Sequence, residues 1–231
     1  MDNALGTYPG SSSQRLPIPA EQAARERAWV LAAQAGDQAA FGRLVEAYQK
    51  PVYNLTYRML GNPEEAEDAA QEAFLRAYAN LASYDPTRKF SSWLFSIAGH
   101  HCIDRLRRRR FRFIPLDEAP RLHKSLPDRH PQPEATALAR EEEQLFQRLL
   151  AQLSENYRLV ITLFYWYDLS CQEIGEVVGI SEGAVKVRLH RGRKKLAELL
   201  CAHESHEGVP ARIPSPSGAR KEGRKHALSR C

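Results

Sequence analysis

Between Phe111 and Pro133 the chain carries Pro115, Pro120, Pro127, Pro131 and Pro133 and shows no apolar periodicity. Proline removes a backbone donor and clashes with the preceding helical turn, so this stretch can be neither a continuous helix nor a core strand. Stiff, extended, proline-bearing segments set a distance between the parts they join. The expectation is a linker over 111–133 with a separate module on each side, and 231 residues leave room for two small domains.

Both modules read as helical, because no sustained two-residue alternation appears and apolar residues recur at helical spacing. Asp37 suits an N-cap ahead of Phe41, Leu44, Val45 and Tyr48. Pro51 is expected to open a new helix with Val52, Leu55, Met59 and Leu60 inward, and Gly61 suits its left-handed stop. Asn62 and Pro63 restart the chain into a helix whose first turns carry Glu64, Glu65, Glu67 and Asp68. A further helix is expected from about Ser91 or Ser92 into the arginines, with Trp93, Leu94, Ile97, Ala98 and Ile103 as its stripe.

Beyond the linker, a helix near Glu134 carries Leu138, Leu145, Leu149 and Leu150, and Ser154 can cap the next. Ser170 and Glu173 have capping-box spacing, Gly179 ends that short helix, and Ser181 caps a last helix to about Leu200. The fold class is therefore all-α: two small helical domains joined by a proline-rich linker. The expected bounds are a disordered arm over 1–20, a first domain over 21–110, the linker, a second domain over 134–201, and a disordered basic tail over 202–231.

Hydrophobic residues at 43% and charged residues at 26% sit near globular averages, which argues against a wholly disordered, fibrous or membrane-spanning chain. No apolar run approaches the ~20 residues of a transmembrane helix, and Met1 to Ser13 lacks the features of a signal peptide. The four cysteines are widely spaced, with no C-x-x-C pair. A cytoplasmic protein without a disulfide scaffold is expected.

The charge is concentrated. Six arginines, Arg105, Arg107, Arg108, Arg109, Arg110 and Arg112, outnumber the whole net charge of +5, so the rest of the chain is close to neutral. Cations complement a helix C-terminus, but six together repel one another and call for a counter-anion. A local basic block on a balanced chain is the footprint of a polyanion site. Phe90, Trp93 and Phe95 lie upstream of the block, and aromatic rings beside a cationic groove can stack on unpaired bases. Phe90, expected in the loop, is the preferred base-contacting ring, and Trp93 is expected in the core.

Near the C-terminus Ile174, Val177 and Val178, then Gly179, then Ile180, Val185 and Leu189, have the spacing of a helix-turn-helix. At about 100° per residue, Val185, Leu189, Gly192 and Leu196 turn inward, while Gly183, Lys186, Val187, His190 and Lys194 turn outward with Arg191 beside them. A major groove admits one helix, and Lys186, His190 and Arg191 there can donate to base acceptors and phosphates. An ordinary helical hairpin with a solvated basic face has the same pattern.

The order of segments resembles a bacterial sigma factor of the extracytoplasmic-function (ECF) group. The resemblance rests on Asp37 to Phe41 (DQAAF), Leu60 to Phe74 (LGNPEEAEDAAQEAF), Tyr84 to Ala98 (YDPTRKFSSWLFSIA), Asp104 to Arg108 (DRLRR) and Glu173 to Leu196. It implies that the first domain is like sigma region 2 and the second like region 4. Core RNA polymerase would be bound through Glu64, Glu65, Asp68, Gln71 and Glu72, although first-turn carboxylates also stabilise a helix with no partner. The downstream promoter element would be read and melted through Arg88, Lys89, Phe90, Trp93, His100, Arg105, Arg108 and Arg109, the loop from Asp85 to Ser92 holding an unpaired base. The upstream element would meet Ser181, Lys186, Val187, His190, Arg191 and Lys194. His100 stands where the family usually has asparagine after I-A-x.

The implied function is promoter-specific transcription initiation without enzymatic activity, with core polymerase, promoter DNA as duplex and melted strand, and an anti-sigma factor as partners. No membrane insertion and no cofactor are expected. His100, His101 and Cys102 point about 100° apart on a helix and make a poor metal site. Cys201, His203 and His206 form a looser set of metal-ligand candidates. The competing reading is a regulator that binds duplex DNA alone through the helix-turn-helix.

Overall fold

The computed structural model describes residues 20–112 and 137–207. The expected disorder of the N-terminal arm, nearly all of the proline-bearing linker, and the tail beyond Glu207 lie outside those residues. The described chain is helical throughout: α1 (Ala20–Gln34), α2 (Gln38–Leu60), α3 (Pro63–Asn80), a 3-10 turn (Leu81–Ser83) and α4 (Phe90–Arg112), then α5 (Ala137–Ala151), α6 (Glu155–Trp166), α7 (Cys171–Val178) and α8 (Glu182–Glu207). None of these helices is long and apolar enough to cross a membrane.

Local side chains set most of the boundaries. The Asp37 carboxylate accepts from the amides of Ala39 and Ala40 at 2.9 and 3.2 Å, which starts α2. Gly61 ends it at φ 74°, and its amide donates to the Tyr57 carbonyl at 2.8 Å. Asn62 then accepts from the Glu65 amide at 2.9 Å, with Pro63 in the first turn of α3. Ser154 precedes α6 but makes no side-chain cap bond. α8 continues to Glu207, past the expected end near Leu200.

Pro51 does not open a new helix; it lies inside α2. Without an N–H it leaves the Ala47 carbonyl without its helical partner. Burial outweighs that loss, because Leu44 before the proline and Val52, Leu55 and Met59 after it are all buried on one face of one helix. The Thr56 hydroxyl donates to the Ala66 carbonyl at 2.8 Å and ties α2 to α3. On the other side, the Tyr48 hydroxyl donates to the Glu26 carboxylate, and Gln34 donates to the Leu81 and Tyr84 carbonyls at 2.9 and 2.8 Å, which fastens α1 over the first domain.

The two domains are docked, and their buried residues form one continuous apolar cluster. α6 packs on α2 and α4, α5 on α2, and α7 on α4. At Gly99 of α4 an added Cβ would lie 3.0 Å from both terminal carbons of Leu159 of α6, so the absence of a side chain there lets the helices close. Much of the polar part of the interface is built on the last turn of α2, where the helix end leaves carbonyls open to further donors. Gln147 donates to the Tyr57 and Arg58 carbonyls at 3.0 and 3.1 Å, and Arg158 donates to the Met59 carbonyl. Tyr167 donates to the Pro51 carbonyl at 2.5 Å. Arg58 pairs with Glu143 at 2.6 Å and lies 3.9 Å over the Trp166 ring.

Candidate nucleic-acid interface

The helix-turn-helix is fixed by a capping box and two glycines. Ser170 accepts from the Glu173 amide at 3.2 Å, while the Glu173 carboxylate accepts from the Ser170 amide at 2.9 Å. Gly179 takes φ 72°, which only glycine adopts cheaply. At Gly175 the chain approaches itself so closely that a Cβ would sit 2.7 Å from the Ile180 carbonyl oxygen. Ser181 accepts from the Ala184 amide at 3.3 Å and starts α8.

Val185, Leu189, Gly192 and Leu196 of α8 are buried, and Gly192 lets the helix rest on Ile161. Ser181, Gly183, Lys186, Val187, His190, Arg191 and Lys194 are all exposed. Lys186 pairs with Glu182 at 2.7 Å, and that hydrogen bond raises the Lys186 pKa. Arg193 turns away, lying 4.9 Å from the Phe164 ring and 5.5 Å from that of Tyr165.

The second cationic surface is the loop before α4 together with α4 itself. Asp85 accepts from the Thr87 amide at 2.9 Å and its hydroxyl at 2.8 Å, and these bonds hold the carboxyl below its usual range. Tyr84 donates to the Arg88 carbonyl at 2.6 Å. The loop thus formed exposes Arg88 and Lys89. Phe90 is not in the loop and not accessible. It is the first residue of α4, only 2% exposed, with the Tyr48, Tyr84 and Trp93 rings 5.6, 5.7 and 5.6 Å away. Burial of its ring in that cluster removes it as a stacking surface. Trp93, expected in the core, is half-exposed, as is Tyr48.

His100 is exposed, with Nδ1 2.7 Å from the Ser96 carbonyl. An Nδ1–H donated there leaves Nε2 as the outward acceptor. Arg108 is exposed, whereas Arg105 and Arg109 are half-buried against α3. Arg105 lies 3.9 Å from Asp68, Arg109 3.8 Å from Glu65, and Arg110 3.6 Å from Glu155 of α6. The counter-anion that the arginine block calls for is thus supplied in part within the chain, by long, solvent-touched pairs worth little each.

On α3, Glu64, Asp68 and Gln71 are exposed, while Glu65 and Glu72 are half-buried. Glu72 accepts from Arg76 at 2.7 Å, which holds its carboxyl below the usual range. The same exposed strip continues into Leu75 and Tyr78, at 66% and 47% exposure. Sequence reasoning missed these two, although they repeat the three- and four-residue spacing of the acids. It also missed Arg158, a guanidinium buried within an apolar run and pushed down to about 10 by desolvation. No group of three metal-ligating side chains gathers among the described residues. Cys201 and His203 each have other interactions, and the His206 side chain lies outside the described set.

Two family models match this chain: Sigma-70 region 2 over residues 44–112 and Sigma-70 region 4 over 143–196. The chain is 42% identical over 170 residues to the ECF RNA polymerase sigma factor SigW of Bacillus subtilis, covering 71% of this chain and 91% of that one. It is 34% identical over 179 residues to the ECF sigma factor SigE of Mycolicibacterium smegmatis, covering 76% and 68%. Among solved structures, CnrH in complex with the cytosolic domain of CnrY superposes with a TM-score of 0.57 at 30% identity, covering 77% of this chain and 98% of that one. Two helical domains in this order, an outward basic helix in the second, and the match to regions 2 and 4 lead to one assignment: the chain belongs to the ECF family of RNA polymerase sigma factors.

Proposed function

We propose that this chain binds core RNA polymerase and directs it to particular promoters, the second domain reading an upstream duplex element and the first reading and melting a downstream one. The observation that carries this reading is α8. Its inner face is anchored by Val185, Leu189 and Gly192, and the opposite face holds Lys186, Val187, His190, Arg191 and Lys194 in solvent. A helix so mounted can enter a major groove with its donors forward.

In the first domain, Arg88, Lys89, Arg105, Arg108 and Arg109 line a cationic path for a separated strand, and His100 offers an outward ring nitrogen. Trp93 takes the stacking role first expected of Phe90, because its ring is half-exposed beside the Arg88 and Lys89 loop, whereas the similarly exposed Tyr48 is covered by α1 through Glu26. The polymerase would meet the strip of Glu64, Asp68 and Gln71, flanked by Glu65 and Glu72 and extended by Leu75 and Tyr78. The chemistry of RNA synthesis belongs to the polymerase, which places this protein in the cytoplasm with it. CnrH, solved in complex with the cytosolic domain of CnrY, supports a second protein, here read as an anti-sigma factor, as a further partner.

In the docked arrangement α7 lies on α4, and Lys89 is bridged to Glu173 at 2.5 Å. A loop residue assigned to the downstream element is thus tied to the capping box of the helix-turn-helix. Reading two separated elements at once requires the domains to part.

The test is run-off transcription with purified core polymerase on a genomic promoter library. Discrete starts that depend on this chain are expected, together with co-purification of the two. A chain that binds duplex DNA without any affinity for core polymerase would instead be a stand-alone regulator.

A further inference from the structure

Val187 is 49% exposed and lies in the middle of a basic surface. The other large hydrophobic side chains comparably exposed among the described residues, Leu31, Leu75 and Tyr78, all lie in the first domain. One turn before it is Gly183, where an added Cβ would meet nothing within 4 Å. One turn after it are His190 and Arg191, both exposed. A helical side chain leans toward the N-terminus over the preceding turn, so Val187 lies over the space that Gly183 leaves open. The result is a shallow apolar step on α8, low enough for a base edge to approach closely. Its basic neighbours supply donors around it: Lys186, already paired with Glu182, on one side and His190 and Arg191 on the other.

The bases offer one apolar feature to a helix in the major groove, the C5-methyl of thymine. Resting on the reading of α8 given above, we propose that Val187 packs against a thymine methyl in the upstream element and sets a preference for thymine over its methyl-free counterpart uracil at that position. Lysine, histidine and arginine cannot make this discrimination through the methyl, because their contacts are to acceptors that uracil also presents. The preference for thymine over uracil is therefore carried by shape and apolar burial alone.

Uracil substitution isolates the contact, since it removes the methyl and keeps every hydrogen-bonding group. Holoenzyme made with the full chain would first select its promoter from a random-sequence duplex library. Thymines of the upstream element would then be replaced by uracil one at a time. Burying one methyl is worth a loss of about fourfold in affinity at a single position. Val187→Ala should bind the thymine promoter about as weakly as the wild type binds the uracil one, and should no longer distinguish the two. Uracil tolerated at every upstream thymine, or a Val187→Ala holoenzyme that keeps full discrimination, would overturn the inference while promoter selection itself stands. Failure of the holoenzyme to select any upstream sequence would overturn the reading of α8 and this inference with it.

Discussion

Two glycines of the helix-turn-helix respond in opposite directions to the same substitution. An alanine Cβ at Gly175 would stand 2.7 Å from the Ile180 carbonyl oxygen, a separation that real Cβ atoms essentially never show. The obstruction is backbone in the tight turn between α7 and α8, so no side chain can swing aside. Relief requires moving that turn, which is held by the Gly179 and Ile180 amides donating to the Gly175 carbonyl at 2.8 and 3.0 Å. Overpacking of this kind costs about 1–3 kcal/mol, and each strained hydrogen bond about 0.5–1.5 kcal/mol more. Alanine recovers about 1 kcal/mol from helix propensity. The balance is a destabilisation of about 1–5 kcal/mol for Gly175→Ala. At Gly183 an added Cβ meets nothing within 4 Å, so only the propensity gain remains, up to about 1 kcal/mol and smaller so near the helix start. Urea unfolding of the full chain, followed by far-ultraviolet circular dichroism, should shift to lower urea for Gly175→Ala and level or slightly upward for Gly183→Ala. Gly175→Ala unfolding at or above the wild-type midpoint would refute the close-approach argument.

Ser170→Ala removes one half of the capping box and leaves the Glu173 carboxylate with fewer partners; a loss of about 1 kcal/mol in unfolding free energy is expected by the same assay. Lys186→Ala and Arg191→Ala should weaken upstream-element recognition in footprinting while core polymerase binding, measured separately, is retained. Burial pushes the Cys102 thiol up to about 12, so at pH 8 native protein should be alkylated at the half-buried Cys171 and spared at Cys102, as peptide mass analysis would show. The same shift works against the fold at high pH. The unfolded thiol ionises near 9 and the native one near 12, so stability from this group is full below 9 and is lost as pH rises above it, a slope that Cys102→Ala should remove from urea midpoints.

What could be read in advance was local. Asp37, Asn62, Ser170 with Glu173, Gly61 and Gly179 each act within four residues, so their spacing alone announces the caps and stops that the structure contains. The inward and outward faces of α8 follow from a single helical period, and all of the expected outward residues are exposed. The misreadings share one cause, which is tertiary packing. Pro51 has the local properties of a helix start, yet the core on both sides of it keeps α2 whole. Phe90 and Trp93 are both aromatic residues near one boundary. Which of them is covered depends on Tyr48 and Tyr84, which arrive from α2 and from the turn after α3. Arg158 and Gln147 look like ordinary surface residues in a list of letters. Their roles exist only once the second domain brings them to the open end of α2.

That docking has a physical character suited to a joint that opens. Several of its polar contacts fall on the final carbonyls of α2, groups that water can satisfy when the domains part, so each of those bonds contributes only the net ~0.5–1.5 kcal/mol of an exchanged hydrogen bond. Arg158 is buried while donating to the Met59, Ala151 and Leu153 carbonyls, with no carboxylate of the described residues in direct ion-pair contact; desolvation works against its charge there and Glu155 offsets only part of it. Separation returns that charge to water and offsets part of what is lost. The Lys89 to Glu173 and Arg110 to Glu155 pairs each have an exposed cation, which a phosphate could draw away at little cost. The apolar closure, which includes Leu159 against Gly99, opposes opening without such compensation, and the Arg58 to Glu143 pair over the Trp166 ring adds to it. If, as proposed, a partner covers the exposed strip on α3 and DNA takes over Lys89 and the arginines, what they have to outweigh is chiefly the apolar contact and the Arg58 to Glu143 pair.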